Sequence, residues 1–402
     1  MKTLIIALSL VLASFAQAKV EVLFHPHDPT LEQISQWIME AESTVDIAMY
    51  NMETGSSSPV IQALKSPDVQ ARLHSGQLQM RLLFEGYGTP EENSKKMAAL
   101  EELGLDVRFL GKVVKVHHKF AVMDAGLHNH RVVTGSANWS LSSYRNYNEN
   151  ILFFTQESEA TARYQQEFNR LWDHAQEFGI STATREVAVP AFQDNSNLEI
   201  FFNSPRSLKQ NLHEAHRLTD QVVRLINEAK NEIFVASARV RLKPVLEALL
   251  QAGERGVKVY ILVSQDDFMD IGRRAQWLLM NKNIQVRVKF YDLRVANYMT
   301  YQMHNKFMIV DQERMVSGSF NWSESSENKH IENLVELGGK LAQDVIPSYV
   351  EEFVALWDLG RTEYPTTLQK VTQDPTSSCA LAPMSLNVSE VRKLLKVGKN
   401  CQ

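Results

Sequence analysis

The sequence predicts an α/β protein built from two pseudo-twofold-related α/β sandwich repeats. Three observations predict it. Short β-prone runs alternate with amphipathic helical runs along the chain, the pattern of layered α/β folds. The runs of the first half recur in the same order in the second, about 180 residues later, which marks an internal duplication. Each half also carries the same polar set: His-x-Lys, then Gly-Ser-x-Asn-Trp-Ser, then Glu-Asn.

The elements pair off in order. The opening strand Val20–Phe24 is matched by Leu198–Phe202. A helix follows in each, with Ile34, Trp37, Ile38 and Ala41 on one face in the first copy and Val222, Leu225, Ile226 and Ala229 in the second. That 3-4 spacing defines a single apolar stripe. Next come the strands Val45–Tyr50 and Ile233–Ser237. The following helix and strand are clearest in the second half, at Val240–Ala252 and Val257–Val263, with Met80–Phe84 as the earlier counterpart strand. Both halves close on a helix with a shared ending: Glu167, Phe168, Leu171, Trp172 and Asp173 match Glu352, Phe353, Leu356, Trp357 and Asp358. The expected division is residues 19–185 and 186–366 for the repeats. A linker rich in Thr, Asn, Pro and Ala covers about 176–197, and residues 367–402 form an appendage with a basic helix at Val388–Lys399.

Residues 1–18 read as a leader. Lys2 precedes an uncharged apolar run, Leu4–Phe15, which ends in Ala16-Gln17-Ala18. This is the pattern of a cleavable secretory signal, and the run is too short to span a bilayer. The mature protein is therefore expected to be secreted or periplasmic, soluble and monomeric. Cys379 and Cys401 can close a small loop in an oxidising compartment, worth about 3 kcal/mol. With 44% hydrophobic and 22% charged residues the chain is globular in composition, and its net charge of −5 argues against chain-wide attraction to polyanions.

The chemistry rests on the strands around the two histidines. Side chains alternate faces along a strand, so His117 and Lys119 share a face with Ala121 and Met123, and His304 and Lys306 repeat the arrangement. Ser136 and Asn138 are likewise two apart, as are Ser319 and Asn321. Two imidazoles with fixed cations suit displacement at a phosphodiester, one neutral ring attacking phosphorus and one protonated ring serving the leaving oxygen. Lysine, asparagine and serine donors can hold the non-bridging oxygens, taking the part that metal ions play elsewhere. No metal-ligand cluster or cofactor motif is visible in the sequence.

His117-x-Lys119-x4-Asp124 and His304-x-Lys306-x4-Asp311 resemble the paired HKD motifs of the phospholipase D superfamily, over most of residues 19–360. The wording His-His-Lys-Phe and Gly-Ser-Ala-Asn-Trp-Ser is similar to the bacterial endonuclease and cardiolipin hydrolase branch. The resemblance implies one shared active site with His117 as nucleophile and His304 as acid. It makes Lys119, Lys306, Asn138 and Asn321 phosphate ligands, with Ser136 and Ser319 in support. It further implies that Glu149 and Glu332 bind the backs of the histidines, and that Asp124 and Asp311 are structural. The implied activity is phosphodiester hydrolysis, of phospholipid through a phosphohistidine, with no protein partner. Secreted cleavage of DNA or RNA is the alternative, and an inactive binder of anionic phosphates a third. Phe290, Tyr291 and Tyr298–Met303 are expected to form an aromatic mouth, either for acyl chains or for stacked bases beside Arg287, Lys289 and Arg294.

Overall fold

The computed structural model describes residues 18–86, 88–111, 115–179, 184–203, 218–268, 278–294, 300–374, 379–398 and 401. The leader 1–17 lies outside them. Two eight-stranded sheets carry the fold. In spatial order the first runs Lys19–His25, Glu149–Thr155, Arg131–Gly135, Lys119–Met123, Thr44–Met49, Gln79–Phe84, Asp106–Phe109 and Gln176–Glu177. The second runs Leu198–Phe202, Asn333–Leu337, Arg314–Gly318, Lys306–Val310, Glu232–Ser237, Lys258–Ser264, Ile284–Asp292 and Ala380–Asn387. The connectivity is the same in both. Three neighbouring strands in each sheet pair in parallel and the rest are antiparallel.

Alternation along the histidine strands explains how the sheets meet. Ala121 and Met123 pack outward against helix Thr30–Glu40 and its neighbours, while Phe120 and Val122 face inward. Met308 and Val310 pack outward in the second sheet, and Phe307 and Ile309 face inward. The inward faces share one apolar layer with helices Ser158–Trp172 and Gly339–Asp358. Aromatic contacts such as Phe24–Tyr349 and Tyr164–Phe202, with ring centroids 5.2 and 5.3 Å apart, tie first-repeat residues to second-repeat ones. The halves are thus joined through a continuous core, which fixes their strand ends relative to one another.

Two expectations change. Residues 367–402 are not an appendage: Ala380–Asn387 completes the second sheet against Ile284–Asp292. Helix Val388–Val397 then buries Val388, Val391 and Leu394 in that repeat's core. Likewise Gln176–Glu177, read as linker, forms the edge of the first sheet. Cys379 and Cys401 are disulfide-bonded, closing the strand and helix into one unit. No helix of the described residues is long and apolar enough to cross a membrane.

Candidate active site

The site forms where the first repeat's histidine segment is threaded against the second repeat's glutamate segment, and the reverse. Lys115–Val116 pairs in parallel with His330–Ile331. His117 N–H, next in the chain, donates to Ile331 O at 3.0 Å. Glu332 follows Ile331, so its Oε2 arrives 2.9 Å from His117 Nδ1. The mirror arrangement holds on the other side. His304 N–H donates to Asn148 O at 2.9 Å, and Glu149 Oε2 lies 2.8 Å from His304 Nδ1. Each histidine is therefore backed by the glutamate of the opposite repeat. At His117 the Nδ1 side is committed to Glu332 and Nε2 is left for the cleft, while His304 Nδ1 lies between Glu149 and, at 3.1 Å, Lys306 Nζ.

The other motif residues divide by role. Lys119 and Lys306 donate to the carbonyls of His117 and His304, both at 2.7 Å. Asn138 and Asn321 line the cleft from opposite repeats. Ser136 and Ser319 do not reach the cleft, which corrects their expected phosphate role. Both are fully buried, and their hydroxyl oxygens accept from the backbone N–H of Asn150 and Asn333 at 3.0 Å. The preceding glycines make that approach possible: at φ +156° and +146°, a Cβ on Gly135 or Gly318 would lie 2.2 or 2.4 Å from the carbonyl oxygen of Asn150 or Asn333. Gly-Ser thus clamps the asparagine loop to the strand carrying the glutamate.

Asp124 and Asp311 are not among the residues lining the cleft. Asp124 accepts from the N–H groups of Glu42, Ser43 and Thr44 at 2.7–3.1 Å. Asp311 accepts from Lys230, Asn231 and Glu232 at 2.7–2.9 Å. Both have φ +54°, a region in which aspartate is tolerated better than alanine. Asp124→Ala is expected to lower unfolding free energy by about 3 kcal/mol, read from urea unfolding, because three charge-assisted bonds are lost at a strained backbone position.

Burial dominates the electrostatics. It pushes His117 well below the ordinary imidazole range, with Glu332 pulling upward and Lys119 pushing further down. It lowers His304 too, opposed by Glu149. Lys119 is held well below a normal lysine, and Lys306 is lowered to about 8, with the two glutamates resisting in both cases. Glu332 would be raised by burial, but His117 and the surrounding donors carry it below the usual carboxylate range. An arriving phosphodiester anion supplies the negative charge that favours the two ammonium forms.

His117 and His304 open on one cleft of about 340 Å³, whose lining also includes Tyr50, Lys115, Tyr147, Arg239, Gln302 and His330. Of these, Gln302 falls within the expected mouth Tyr298–Met303, and the others are not among the site residues expected from the sequence. Lys115 and Gln302 stand two before the histidines, and Tyr147 and His330 two before the glutamates. The strand alternation that picked out His-x-Lys would have reached them if extended backward. The expected aromatic mouth is not formed by the described residues. Phe290, Tyr291 and Met303 are core residues, Lys289 is buried on Asn148, Arg287 stacks on Trp357, and Arg294 pairs with Asp292. Tyr301 is partly exposed, and Tyr298 and Met299 lie outside the described residues.

One set of ligand-type atoms, on His117, His330 and Glu332, falls within 4.8 Å among the described residues. Two of the three are already hydrogen-bonded to each other, and Lys115 and Lys119 act on the same carboxylate. Those cations would repel a divalent ion, so the set is a hydrogen-bonded network rather than a metal centre.

Fold and site together define a bipartite α/β protein in which two matched repeats share one cleft. A family model described as "Cardiolipin synthase, PLD-like domain" matches residues 34–172 and 222–357, once per repeat and over more than half of the chain. The chain belongs to this family of phospholipase D-like domains. Mitochondrial cardiolipin hydrolase of Danio rerio is 24% identical over 150 residues, 37% of this chain and 60% of that one. The Homo sapiens protein is 25% identical over 149 residues, 37% of this chain and 53% of that one. The matched region thus spans less than two thirds of these relatives. Phosphatidylserine synthase of Haemophilus influenzae Rd KW20 has a TM-score of 0.63 over 95% of this chain and 92% of that chain, at 10% identity. Polyphosphate kinase of Porphyromonas gingivalis has a TM-score of 0.56 over 92% of this chain and 49% of that chain, at 15% identity. At such identities the likeness is one of fold.

Proposed function

We propose that the protein hydrolyses phosphodiesters through a covalent phosphohistidine. The observation that carries this is the pair of cross-repeat His–Glu dyads opening on one cleft. His117 Nε2 attacks phosphorus, forming P–N as the bond to the leaving oxygen breaks; His304 delivers its proton to that oxygen. His304 then takes a proton from water, whose oxygen attacks phosphorus and breaks P–N, returning His117. Glu332 and Glu149 stabilise the positive charge on whichever ring carries it. Lys119, Lys306, Asn138 and Asn321 hold the non-bridging oxygens.

The cleft favours phosphates flanked by polar groups. Tyr50 and Tyr147 stand beside the two histidines, with ring centroids 4.8 and 6.1 Å away, and Lys115 and Arg239 add cations at the rim. Such a lining suits a nucleic-acid strand, with neighbouring phosphates on the cations, while the buried tyrosines pack against the histidine rings. Phospholipid is the second reading, supported by the family description and by the relatives' names; only its head group would enter, leaving acyl chains outside. Intact ionisable groups in both copies argue against an inert phosphate binder. Export by the leader is part of this proposal, and the Cys379–Cys401 disulfide supports an oxidising compartment.

The test is the purified protein on bis-p-nitrophenyl phosphate with and without EDTA, then on single- and double-stranded DNA, RNA, phosphatidylcholine and cardiolipin. Turnover undiminished by EDTA is expected, with nucleic acid cleaved. Lipid turnover alone would shift the substrate to the second reading, and no turnover of any substrate would overturn the proposal.

A further inference from the structure

The two dyads are alike at the histidine and unlike behind it. In one, Glu149 Oε1 accepts from Ser143 Oγ at 2.8 Å, and that hydroxyl lies 3.4 Å from Nδ1 of His25. His25 is fully buried, and burial lowers it to about 4, so this end of the chain stays neutral. The other dyad replaces that arrangement. Asn203 stands at the position of His25, its Oδ1 accepting from Glu332 N–H at 2.7 Å. Glu332 Oε1 faces the Nδ1 of His330 at 3.5 Å, with Ser326 Oγ 3.3 Å from the same nitrogen. His330 is part-exposed at the cleft, and its ring centroid is 5.5 Å from that of His117. The first repeat has Tyr147 at this position, a phenol in place of an imidazole.

We propose, on the footing of the phosphodiesterase reading, that His330 is a positioning residue whose protonation keeps His117 in its neutral, attacking form on the acid side. Several charged or titratable groups face it or share its cleft. Glu332 lies on its own strand, Lys115 on the paired strand, and His117 and Lys119 on the adjoining segment, while Arg239 and Asp266 line the same cleft. The sign follows from this arrangement. As pH falls, an imidazolium at 330 draws on the second oxygen of Glu332 and repels a proton from His117. His117 therefore stays unprotonated to lower pH than it would with a tyrosine at 330. His304 has no second imidazole beside it, because Tyr147 stands at the corresponding position.

The experiment uses His330→Tyr, which copies the first repeat, and His330→Gln, which keeps a polar side chain. kcat/KM on bis-p-nitrophenyl phosphate is followed against pH, and the ring nitrogens of His117 are titrated by ¹⁵N NMR. The acid limb is expected to move to higher pH in both variants. The variant-to-wild-type ratio of kcat/KM should fall about threefold to tenfold between the neutral plateau and the foot of that limb. The His117 titration should be coupled to position 330 in the wild type, and become a single step at higher pH in the variants. Superimposable limbs with an unchanged His117 titration in the folded variants would overturn the role of His330. A protein that cleaves no phosphodiester would sink the phosphodiesterase reading instead, and the NMR titration would still decide the coupling.

Discussion

Replacing His117 or His304 with alanine is expected to lower turnover of bis-p-nitrophenyl phosphate at least about 10³-fold, on the order of 4 kcal/mol in the barrier. The two rings serve one phosphorus from opposite repeats, so neither can stand in for the other. A chain with two independent sites would keep about half its activity after either change. Folding should persist, because each ring's backbone N–H bond to the opposite repeat survives truncation of the side chain. Circular dichroism and urea unfolding beside the kinetics separate loss of chemistry from loss of fold.

Glu332→Gln is expected to cost on the order of 10²-fold or more in kcat, with KM much less affected. The amide can still hold the Nδ1–H tautomer of His117 but brings no charge to stabilise the ring as it becomes cationic. Cross-repeat pairing sharpens the expectation. The ring nitrogen shifts of His117 should respond to Glu332→Gln and those of His304 to Glu149→Gln. His117→Ala combined with Glu332→Gln should be no slower than His117→Ala alone, since the glutamate acts through the ring. Additive losses would mean that Glu332 works by another route.

Strand alternation and the duplication made much of the fold and site legible in the sequence. His117, Lys119, Phe120 and Val122 lie on the faces their spacing predicts, and the paired aspartates take identical structural places. The crossing of the dyads was not legible. Glu149 is in the same repeat as His117, and nothing in the order of residues says that it reaches His304. That contact exists because His304 N–H bonds to Asn148 O across the repeat boundary, a tertiary event. The aromatic mouth failed for a related reason. Phe290 lies on a strand whose edge pairs with Ala380–Asn387, Phe290 opposite Met384, within a segment that the sequence marks as an appendage. Once Ala380–Asn387 closes the sheet, Phe290 becomes core. Ser136 and Ser319 share a two-residue spacing with the asparagines but not a face, because the strand ends at the glycine before them and the loop turns.

A single measurement probes the shared site most directly. His304→Ala is mixed with bis-p-nitrophenyl phosphate, quenched at intervals and mapped by mass spectrometry at alkaline pH, where phosphohistidine survives. Nitrophenolate needs no proton to depart, so attack by His117 can proceed, whereas hydrolysis of the adduct stalls without the second imidazole. A nitrophenyl phosphate adduct should accumulate on His117, near one per chain, and be absent from His117→Ala. No adduct on either histidine, or turnover in His304→Ala matching the wild type, would contradict a single site built jointly by the two repeats.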